Sequence, residues 1–344
     1  MTTLADYRDE RLSKLEEIRA IGIDPYPAKS HRNTKISTIL NHFDEKDGQE
    51  VVVAGRIMAI RSFGKLAFVK IRDYTGEVQI FMEKTDQVED GHFSVKELKL
   101  LDTGDFIEAA GRVGKSSTGE ISVFSNQVRL LTKSLRPLPG HDGFKNKEER
   151  YRRRYVDMNV NPEVRERLVR RSKFWQATRN FMNSKGFIEV NTPVLELTTG
   201  GADATPFTTH MDALDIDYYL RISQELPLKR LLGGGFEKVY DIGPRFRNEG
   251  VDDEHLPEHI AFESYAAYEN YEDGMALYEE MIKYVAKETW GTLQFHVGDF
   301  DIDLDCEWPR IKYADLLMEK FGIDVFSLNR QKALSILKEN GVQI

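Results

Sequence analysis

Two blocks of alternating apolar and polar residues, 51–82 and 106–131, constrain the fold of this chain most strongly. Alternation with a period of two is typical of strands with one buried face. It predicts five strands, at Val51 to Ile60, Leu66 to Arg72, Glu77 to Met82, Phe106 to Val113 and Glu120 to Leu131. Asp73-Tyr74-Thr75-Gly76 predicts a turn between the second and third strands, and residues 94–101 predict a short helix.

Five strands with a helix between the third and fourth match the OB barrel, whose surface binds oligonucleotides. Basic and aromatic side chains on its first strands suit such a surface, because bases stack on aromatic rings and cations hold phosphates. The candidate nucleic-acid-binding residues are Arg56, Phe63, Phe68 and Phe81, with Arg61, Lys65 and Lys70 beside them. The alternative is that these aromatic rings form the core of the barrel.

The remaining composition is that of a globular chain in a reducing compartment. The 344 residues carry a net charge of −9, which argues against non-specific coating of nucleic acid but allows a local basic patch. The single cysteine, Cys306, excludes an internal disulfide framework. No apolar run reaches the length of a membrane span and no signal core follows Met1, so the expected location is the cytoplasm.

Residues 3–20 predict an amphipathic helix, which we interpret as exposed.

Residues 135–160 predict a linker between two domains. Two prolines open it, and the basic run Arg150-Tyr-Arg-Arg-Arg-Tyr155 follows. Such a run can contact a nucleic-acid backbone, or it can be a solvated charged surface. The pattern does not choose between the two.

The second half predicts an α+β domain with antiparallel strands rather than an alternating parallel fold. A long helix begins at Pro162 and ends at Gly186, and a strand follows at 187–190. A second strand falls within 212–222, and further helices fall at 224–232 and 271–290.

The stretch from Tyr240 to Tyr265 concentrates the candidate chemistry. Read as strand, loop and strand, it places Arg247 and Glu249 on one side and Glu263 and Tyr265 on one face. An arginine fork suits phosphate, and carboxylates suit an amine, a base edge or a metal ion. The alternative is a hairpin that carries only surface ion pairs.

Three short motifs do not carry the chemistry they suggest. Residues 111–116 resemble a phosphate-binding loop, but Ala109 stands where that loop needs glycine. Residues 255–259 fit a zinc-peptidase pattern that needs a helix, which Pro257 would break. Residues 301–305 resemble the start of a calcium loop, yet their alternation fits a half-buried strand.

Ordered motifs in the second half give the chain a family resemblance. They are Gly-Phe-Ile-Glu-Val-Asn-Thr-Pro193, Thr-Gly-Gly-Ala-Asp-Ala-Thr-Pro-Phe207, Tyr219-Leu-Arg-Ile-Ser-Gln-Glu-Leu226 and Phe-Arg-Asn-Glu249. Together with the barrel, they resemble the class II lysyl-tRNA synthetases from about residue 8 to about residue 320. The resemblance implies an α+β multidomain protein, in which an N-terminal five-stranded OB barrel precedes an incomplete synthetase-type antiparallel sheet with flanking helices. The expected domains are an N-terminal helical extension at 1–48, an anticodon-binding OB domain at 49–134, a linker at 135–160 and a catalytic domain at 161–344.

The resemblance also implies what each motif binds. The expected ligands are ATP, Mg²⁺, L-lysine and tRNA(Lys), and residues 162–193 would form a homodimer interface. Arg247 would be the catalytic residue, holding the α-phosphate and the lysine carboxylate. The ATP site would comprise Arg247, Asn248, Glu249, His255, Leu256 and His259. The amino-acid site would comprise Gly201, Glu225, Glu263 and Tyr265, and the barrel would read the anticodon through Arg56, Phe63, Phe68 and Phe81.

The chain departs from the family pattern in two places. Glu254, Leu256 and His259 stand where the family usually has arginine, asparagine and an aromatic residue. The third motif and the Mg²⁺ ligands are expected beyond Ile344, so the chain is either a fragment or a natural truncation. The alternatives to a lysine–tRNA ligase are an aspartyl or asparaginyl relative and a non-catalytic protein that binds tRNA or a partner.

Overall fold

The computed structural model describes residues 3–84, 91–140, 144–252 and 255–341. The chain divides into two compact units, Met1–Arg165 and Glu166–Ile344, which are described separately. Among the described residues, no helix is both long and apolar enough to span a membrane.

A closed five-stranded barrel forms the first unit, as predicted. Its strands are β1 Glu50–Phe63, β2 Leu66–Arg72, β3 Glu77–Glu83, β4 Phe106–Lys115 and β5 Ile121–Thr132, closed in the order β1-β2-β3-β5-β4. The β3/β5 pair is parallel, and the other four pairs are antiparallel. The helix expected at 94–101 is shorter, a single 3-10 turn at Glu97–Leu100. The barrel core is aliphatic, and Phe93 beside that turn lies fully buried in it.

Before the barrel come α1 Leu4–Ala20, α2 Ile36–Asn41 and α3 Phe43–Lys46. Thr3 and Asp6 begin α1 with a capping box. Our interpretation of α1 as an exposed helix is wrong, because Leu15 and Ile18 are buried and Ile18 belongs to the barrel core. Apolar residues at helical spacing among charged residues predicted the helix, but they could not show that its apolar side packs against the barrel.

Buried charges attach α1 to the barrel. The Nζ of Lys133, which is fully buried, lies 2.5 Å from the Asp102 carboxylate and 2.8 Å from the Asp105 carboxylate. Asp102 also accepts from Lys14 of α1 at 2.7 Å, and the Arg11 guanidinium of α1 donates to two backbone carbonyls. Each charge is paired, which burial requires.

Two short helices, α4 Lys147–Arg152 and α5 Arg154–Val160, occupy part of the segment predicted as a linker. The basic run at 150–155 is largely paired with carboxylates of these helices. Arg150 and Arg154 both bind Asp157, at 2.8 and 3.1 Å, and Arg152 binds Glu148 at 2.6 Å. These pairs favour the interpretation of the run as a solvated charged surface over a contact with a nucleic-acid backbone.

The described residues of the second unit form helices and three small sheets. Its helices are α6 Pro162–Ser184, which begins in the first unit, α7 Glu225–Gly233, α8 Tyr271–Trp290, α9 Tyr313–Phe321 and α10 Arg330–Glu339. Its strands are β6 Ile188–Glu189, β7 Leu195–Glu196, β8 Thr208–Met211, β9 Ile216–Leu220, β10 Lys238–Phe246, β11 Glu258–Ala266, β12 Gln294–Val297 and β13 Phe300–Asp303. The sheets have the orders β11-β10-β6, β7-β9-β8 and β12-β13.

Two details differ from the predicted second unit. Strand β6 pairs with β10 in parallel, so the sheet is mixed rather than antiparallel throughout. Strand β13 is exposed along its whole length, with Phe300 72% exposed, so the prediction of a half-buried strand is wrong. Alternation reports two different faces, but it does not report whether anything covers either one.

Candidate active site

The β10/β11 pair has one face for packing and one face for chemistry. Tyr240, Ile242 and Phe262 point to the helix side and join a core with Phe181 of α6 and Met281 of α8. The other face carries the polar side chains, because successive residues of a strand point to opposite faces.

Strand register brings the candidate residues of this polar face together. Arg245 pairs with His259, Asp241 with Glu263 and Val239 with Tyr265. Glu263 and Tyr265 therefore share one face, as predicted, and Arg245 joins them.

The Glu263 carboxylate is the best-anchored group of this face. It accepts from the Ser223 hydroxyl at 3.0 Å, from Arg245 Nη2 at 3.0 Å and from the Gln224 backbone N–H at 3.4 Å. Burial lowers the pKa of Arg245, and the Glu263 charge opposes that effect. Sequence reasoning missed Arg245, Ser223 and Gln224. The period of two from Arg247 pointed to Arg245. Ser223 and Gln224 lie within the family motif that ends at Leu226, but no local pattern predicts their contact with Glu263.

Glu225, Tyr265 and Lys229 form a second polar group beside Glu263. Glu225 lies in the first turn of α7 and accepts from Lys229 Nζ at 2.6 Å. That hydrogen bond is the main cause of the lowered pKa of Glu225. The pKa of Tyr265 is raised to about 12, mainly by burial and then by the charges of Glu225 and Glu263. The Tyr265 phenol is therefore a hydrogen-bond donor at neutral pH.

Gly201 brings backbone, rather than a side chain, up to this group. Its φ of +85° lies in the left-handed region that favours glycine. A Cβ at this position would lie 2.6 Å from Glu225 Cβ and 2.7 Å from Ser223 Oγ. The site therefore has no room for a side chain at residue 201.

Arg247 and Glu249 lie beyond the end of β10, so the prediction that this strand carries them on one side is wrong. β10 ends at Phe246, and backbone contacts to other loops position the residues that follow. Arg247 N–H donates to the Pro257 carbonyl at 2.9 Å, and Asn248 N–H donates to the Thr205 carbonyl at 2.8 Å. Glu249 accepts from Thr205 N–H at 3.2 Å. In the described part of the chain, the buried Nε of Arg247 has no hydrogen-bond partner.

The loop residues His255 and Leu256 are exposed, and hydrogen bonds at 2.8 and 2.9 Å join His255 Nδ1 to the Asp252 carboxylate. Glu254, a predicted departure from the family, lies outside the described residues. His259 lies in β11, so residues 255–259 form a loop entering a strand, not the helix that a zinc-peptidase motif needs.

A buried ion pair between Arg221 and Asp241 anchors the polar face of β10. Arg221 Nη1 lies 3.1 Å from Asp241 Oδ2, and both side chains are almost inaccessible. The same guanidinium donates to Thr192 Oγ1 at 2.6 Å and to the Pro244 carbonyl at 2.7 Å. Arg221 therefore joins the segment before Pro193 to β10.

In the first unit, the candidate nucleic-acid-binding aromatic residues form a chain of ring contacts. Ring centroids lie 6.2 Å apart for Phe63 and Phe68, 5.2 Å for Phe68 and Phe81, and 5.0 Å for Phe81 and Phe124. Phe63 is exposed, and the other three rings alternate with buried neighbours along β2, β3 and β5. These rings therefore lie on the outer surface of the barrel, not in its core. Arg56 lies apart from them, with its guanidinium 4.3 Å from the centroid of the Phe106 ring.

Comparisons with known proteins find matches for both halves of the chain. The sequence profile described as tRNA synthetases class II (D, K and N) matches residues 146–339, and the OB-fold nucleic acid binding domain profile matches residues 51–131. A protein named Lysine–tRNA ligase from Thermotoga maritima is 42% identical over 99% of this chain and 69% of its own length. Relatives of the same name from Fervidobacterium nodosum (42% identical; 99% and 67% covered) and Pelotomaculum thermopropionicum (45% identical; 96% and 65% covered) are similar.

The matched profile covers more than half of the chain, and the relatives are aligned along nearly all of it. The chain belongs to the class II tRNA synthetases, in the branch described as D, K and N.

Proposed function

We propose that this protein activates L-lysine with ATP to lysyl-adenylate and transfers the lysyl group to tRNA(Lys). Relatives at 40–45% identity are named Lysine–tRNA ligase and support lysine over aspartate or asparagine. Arg247 carries the proposal structurally, because its Nε is buried without a partner in the described residues and stands at the end of the polar face. A buried unpaired guanidinium N–H costs free energy that an anionic ligand would recover.

Arg247 would bind the α-phosphate and the lysine carboxylate. Glu249 would accept from the adenine amine, since a carboxylate has room for a further donor beside Thr205. Asn248 would line the same ATP site. In the loop and on β11, His255 would approach the β- and γ-phosphates, while Leu256 and His259 would contact the nucleotide.

Gly201 and Glu225 would hold the α-amino group of lysine. The Gly201 backbone comes close to Glu225, and that carboxylate is already charged and hydrogen-bonded to a cation. Glu263 and Tyr265 would line the lysine pocket, where the anchored carboxylate offers a fixed negative charge to an ammonium group.

The reaction needs positioning and charge stabilisation more than covalent participation by the protein. A lysine carboxylate oxygen forms a bond to the α-phosphorus while the bond to the pyrophosphate oxygen breaks. Arg247 would hold both reactants and stabilise the charge that develops between them. Mg²⁺ would neutralise the phosphates when bound. The described residues contain no group of three or more His, Cys, Asp or Glu placed to hold it, so we assign no step to the ion.

The partners and domain roles are part of this proposal. The barrel, within residues 49–134, would read the anticodon through Arg56, Phe63, Phe68 and Phe81. Residues 1–48 would be a helical extension, 135–160 a linker and 161–344 the catalytic domain. A homodimer would form through 162–193, and the protein would act in the cytoplasm.

Lysine-dependent exchange of pyrophosphate into ATP tests the proposal. We expect exchange with lysine and not with aspartate or asparagine, and Arg247→Ala should reduce it by at least about 10²-fold. Arg310→Ala removes an arginine that binds Glu279 elsewhere in the unit, so it should leave exchange unchanged.

Two results would contradict the proposal in different ways. Exchange that survives Arg247→Ala would remove Arg247 from the reaction. Tight tRNA binding without exchange, in a chain that binds neither ATP nor lysine, would favour a non-catalytic RNA-binding protein.

A further inference from the structure

A cleft of about 350 Å³ in the first unit is lined by four arginines. Arg56 and Arg72 face each other across β1 and β2, where their Cα atoms are register partners. Arg32 precedes α2, and Arg165 completes the lining. Asp73 is the only acidic residue of this lining, so the described lining residues carry a formal charge of +3. Glu77, outside the lining, pairs with Arg72 and offsets part of that charge.

Asp73 is largely committed to holding its own turn. Its Oδ1 accepts from the Thr75 N–H at 2.6 Å and from the Gly76 N–H at 3.0 Å, and its Oδ2 accepts from the Ile36 N–H at 3.1 Å. The nearest guanidinium nitrogen of Arg32 is 4.0 Å from Asp73, at the limit of an ion pair. The carboxylate therefore does little to satisfy the arginines around it.

Two of the guanidinium groups are already fixed in orientation. Arg72 donates to the Glu77 carboxylate at 2.6 Å and to the Asn159 carbonyl at 3.1 Å. Arg56 donates to the Gly104 carbonyl at 3.0 Å and lies over the Phe106 ring. Each guanidinium has five N–H donors, so both keep donors beyond these contacts.

Like charge is crowded in the cleft. Burial lowers the pKa of Arg56, and the nearby charge of Arg72 lowers it further. Since arginine stays protonated, this crowding is an energetic cost that a bound anion would relieve.

We propose that this arginine cleft is an oxyanion site that binds a phosphate group. Fixed guanidinium forks match the geometry of phosphate oxygens, and the cleft volume accommodates the group. The cleft is separate from the aromatic rings, because Arg72 lies four residues along β2 from Phe68, about 13 Å. Arg56, which the proposed function also assigns to anticodon reading, lines this cleft. The phosphate belongs either to the RNA backbone or to a free polyphosphate, and both sources present the same oxygens.

The test uses Arg32→Gln combined with Arg165→Gln, the two arginines that carry the fewest structural contacts. Within the described residues, the Arg32 guanidinium has a single ion-pair approach, 4.0 Å from Asp73, and Arg165 lies over the Tyr74 ring at 5.5 Å. The control, Arg8→Gln with Arg19→Gln, removes the same charge from exposed positions of α1. All variants are made in an Arg247→Ala background, so that phosphate binding at the proposed ATP site does not contribute.

The first arm titrates sodium tripolyphosphate by calorimetry, and the second measures tRNA binding against salt. If the site binds free phosphate, the Kd for tripolyphosphate should be at least tenfold higher in the cleft variant than in the control. An RNA-backbone site predicts that the salt slope of log K for tRNA falls by about 1 to 2, with the anticodon stem-loop alone unaffected. Either result supports the site and identifies the source of its phosphate.

Equal tripolyphosphate affinity and equal salt slopes in the cleft variant and the control would overturn the proposal. Chemical unfolding of both variants shows whether the barrel remains folded. Neither arm depends on adenylate formation, so a failure here is separable from a failure of the proposed synthetase activity.

Discussion

Removing the buried Arg221 guanidinium should destabilise the second unit far more than removing an exposed arginine. Arg221→Met keeps most of the side-chain volume but deletes the donors to Asp241, Thr192 and Pro244. Asp241 would then stay almost inaccessible, with Thr192 as its remaining side-chain partner. Leaving one member of a buried ion pair uncompensated costs about 3–5 kcal/mol.

Tryptophan fluorescence during urea unfolding measures this effect in the right part of the chain. The three tryptophans, Trp175, Trp290 and Trp308, all lie in the second unit, so their signal follows that unit. With a urea dependence of about 2 kcal/mol/M, the expected loss lowers the midpoint by about 1.5–2.5 M. Arg310→Met, which removes an arginine with a partly exposed side chain, should shift the midpoint little.

A double variant separates the unpaired charge from the lost packing. Arg221→Met with Asp241→Leu replaces the whole ion pair by apolar groups, which is often neutral or stabilising relative to the intact pair. We expect it to recover a large part of the stability lost in Arg221→Met. A midpoint shift below about 0.5 M for Arg221→Met, or a double variant less stable than the single one, would refute the reasoning.

Two further perturbations test the polar face and the barrel surface. Because the folded pKa of Tyr265 is about 12, above the ordinary value near 10, its contribution to stability should be complete below about pH 10 and lost as the pH rises to about 12. Glu263→Gln should lower that pKa, and ring-carbon NMR that finds it unchanged would contradict the contribution assigned to the Glu263 charge. Phe68→Ala should weaken binding of the anticodon stem-loop by about 1–3 kcal/mol, roughly 5- to 150-fold. Phe326→Ala, at a 90% exposed ring of the second unit, should have no effect, and equal affinities for the two variants would contradict the role of Phe68.

Local pattern predicted the elements of this protein better than their surroundings. Alternation and turn residues identified the strands of the barrel, apolar spacing identified α1, and Pro162 and Gly186 bracketed α6. The same signals failed on burial. Ile18 is buried because the barrel covers it, whereas Phe300 is exposed because the described residues leave its hairpin uncovered. Both outcomes depend on segments distant in sequence.

The candidate site shows the same division. The two-residue alternation of a strand placed Glu263 and Tyr265 on one face. The family resemblance pointed to Arg247 and Glu249, but it did not show that β10 ends before them. Besides Arg245, the groups that anchor Glu263 are Ser223 and Gln224, just before α7 and about 40 residues earlier. They belong to one of the family motifs, but no local pattern predicts their contact with Glu263. Long-range pairing of this kind is set by tertiary structure and is not visible in any single segment.

The ring contacts on the barrel also limit how an RNA strand could lie there. Neighbouring rings are 5.0–6.2 Å apart and tilted by 51–70° to each other. Bases in a stacked strand are parallel and about 3.4 Å apart. A continuous stack therefore cannot place successive bases against successive rings. An RNA that engages more than one ring must separate its bases and turn them into different planes, as single-stranded loops can and duplexes cannot. The surface would thus discriminate by the cost of unstacking before any base edge is read.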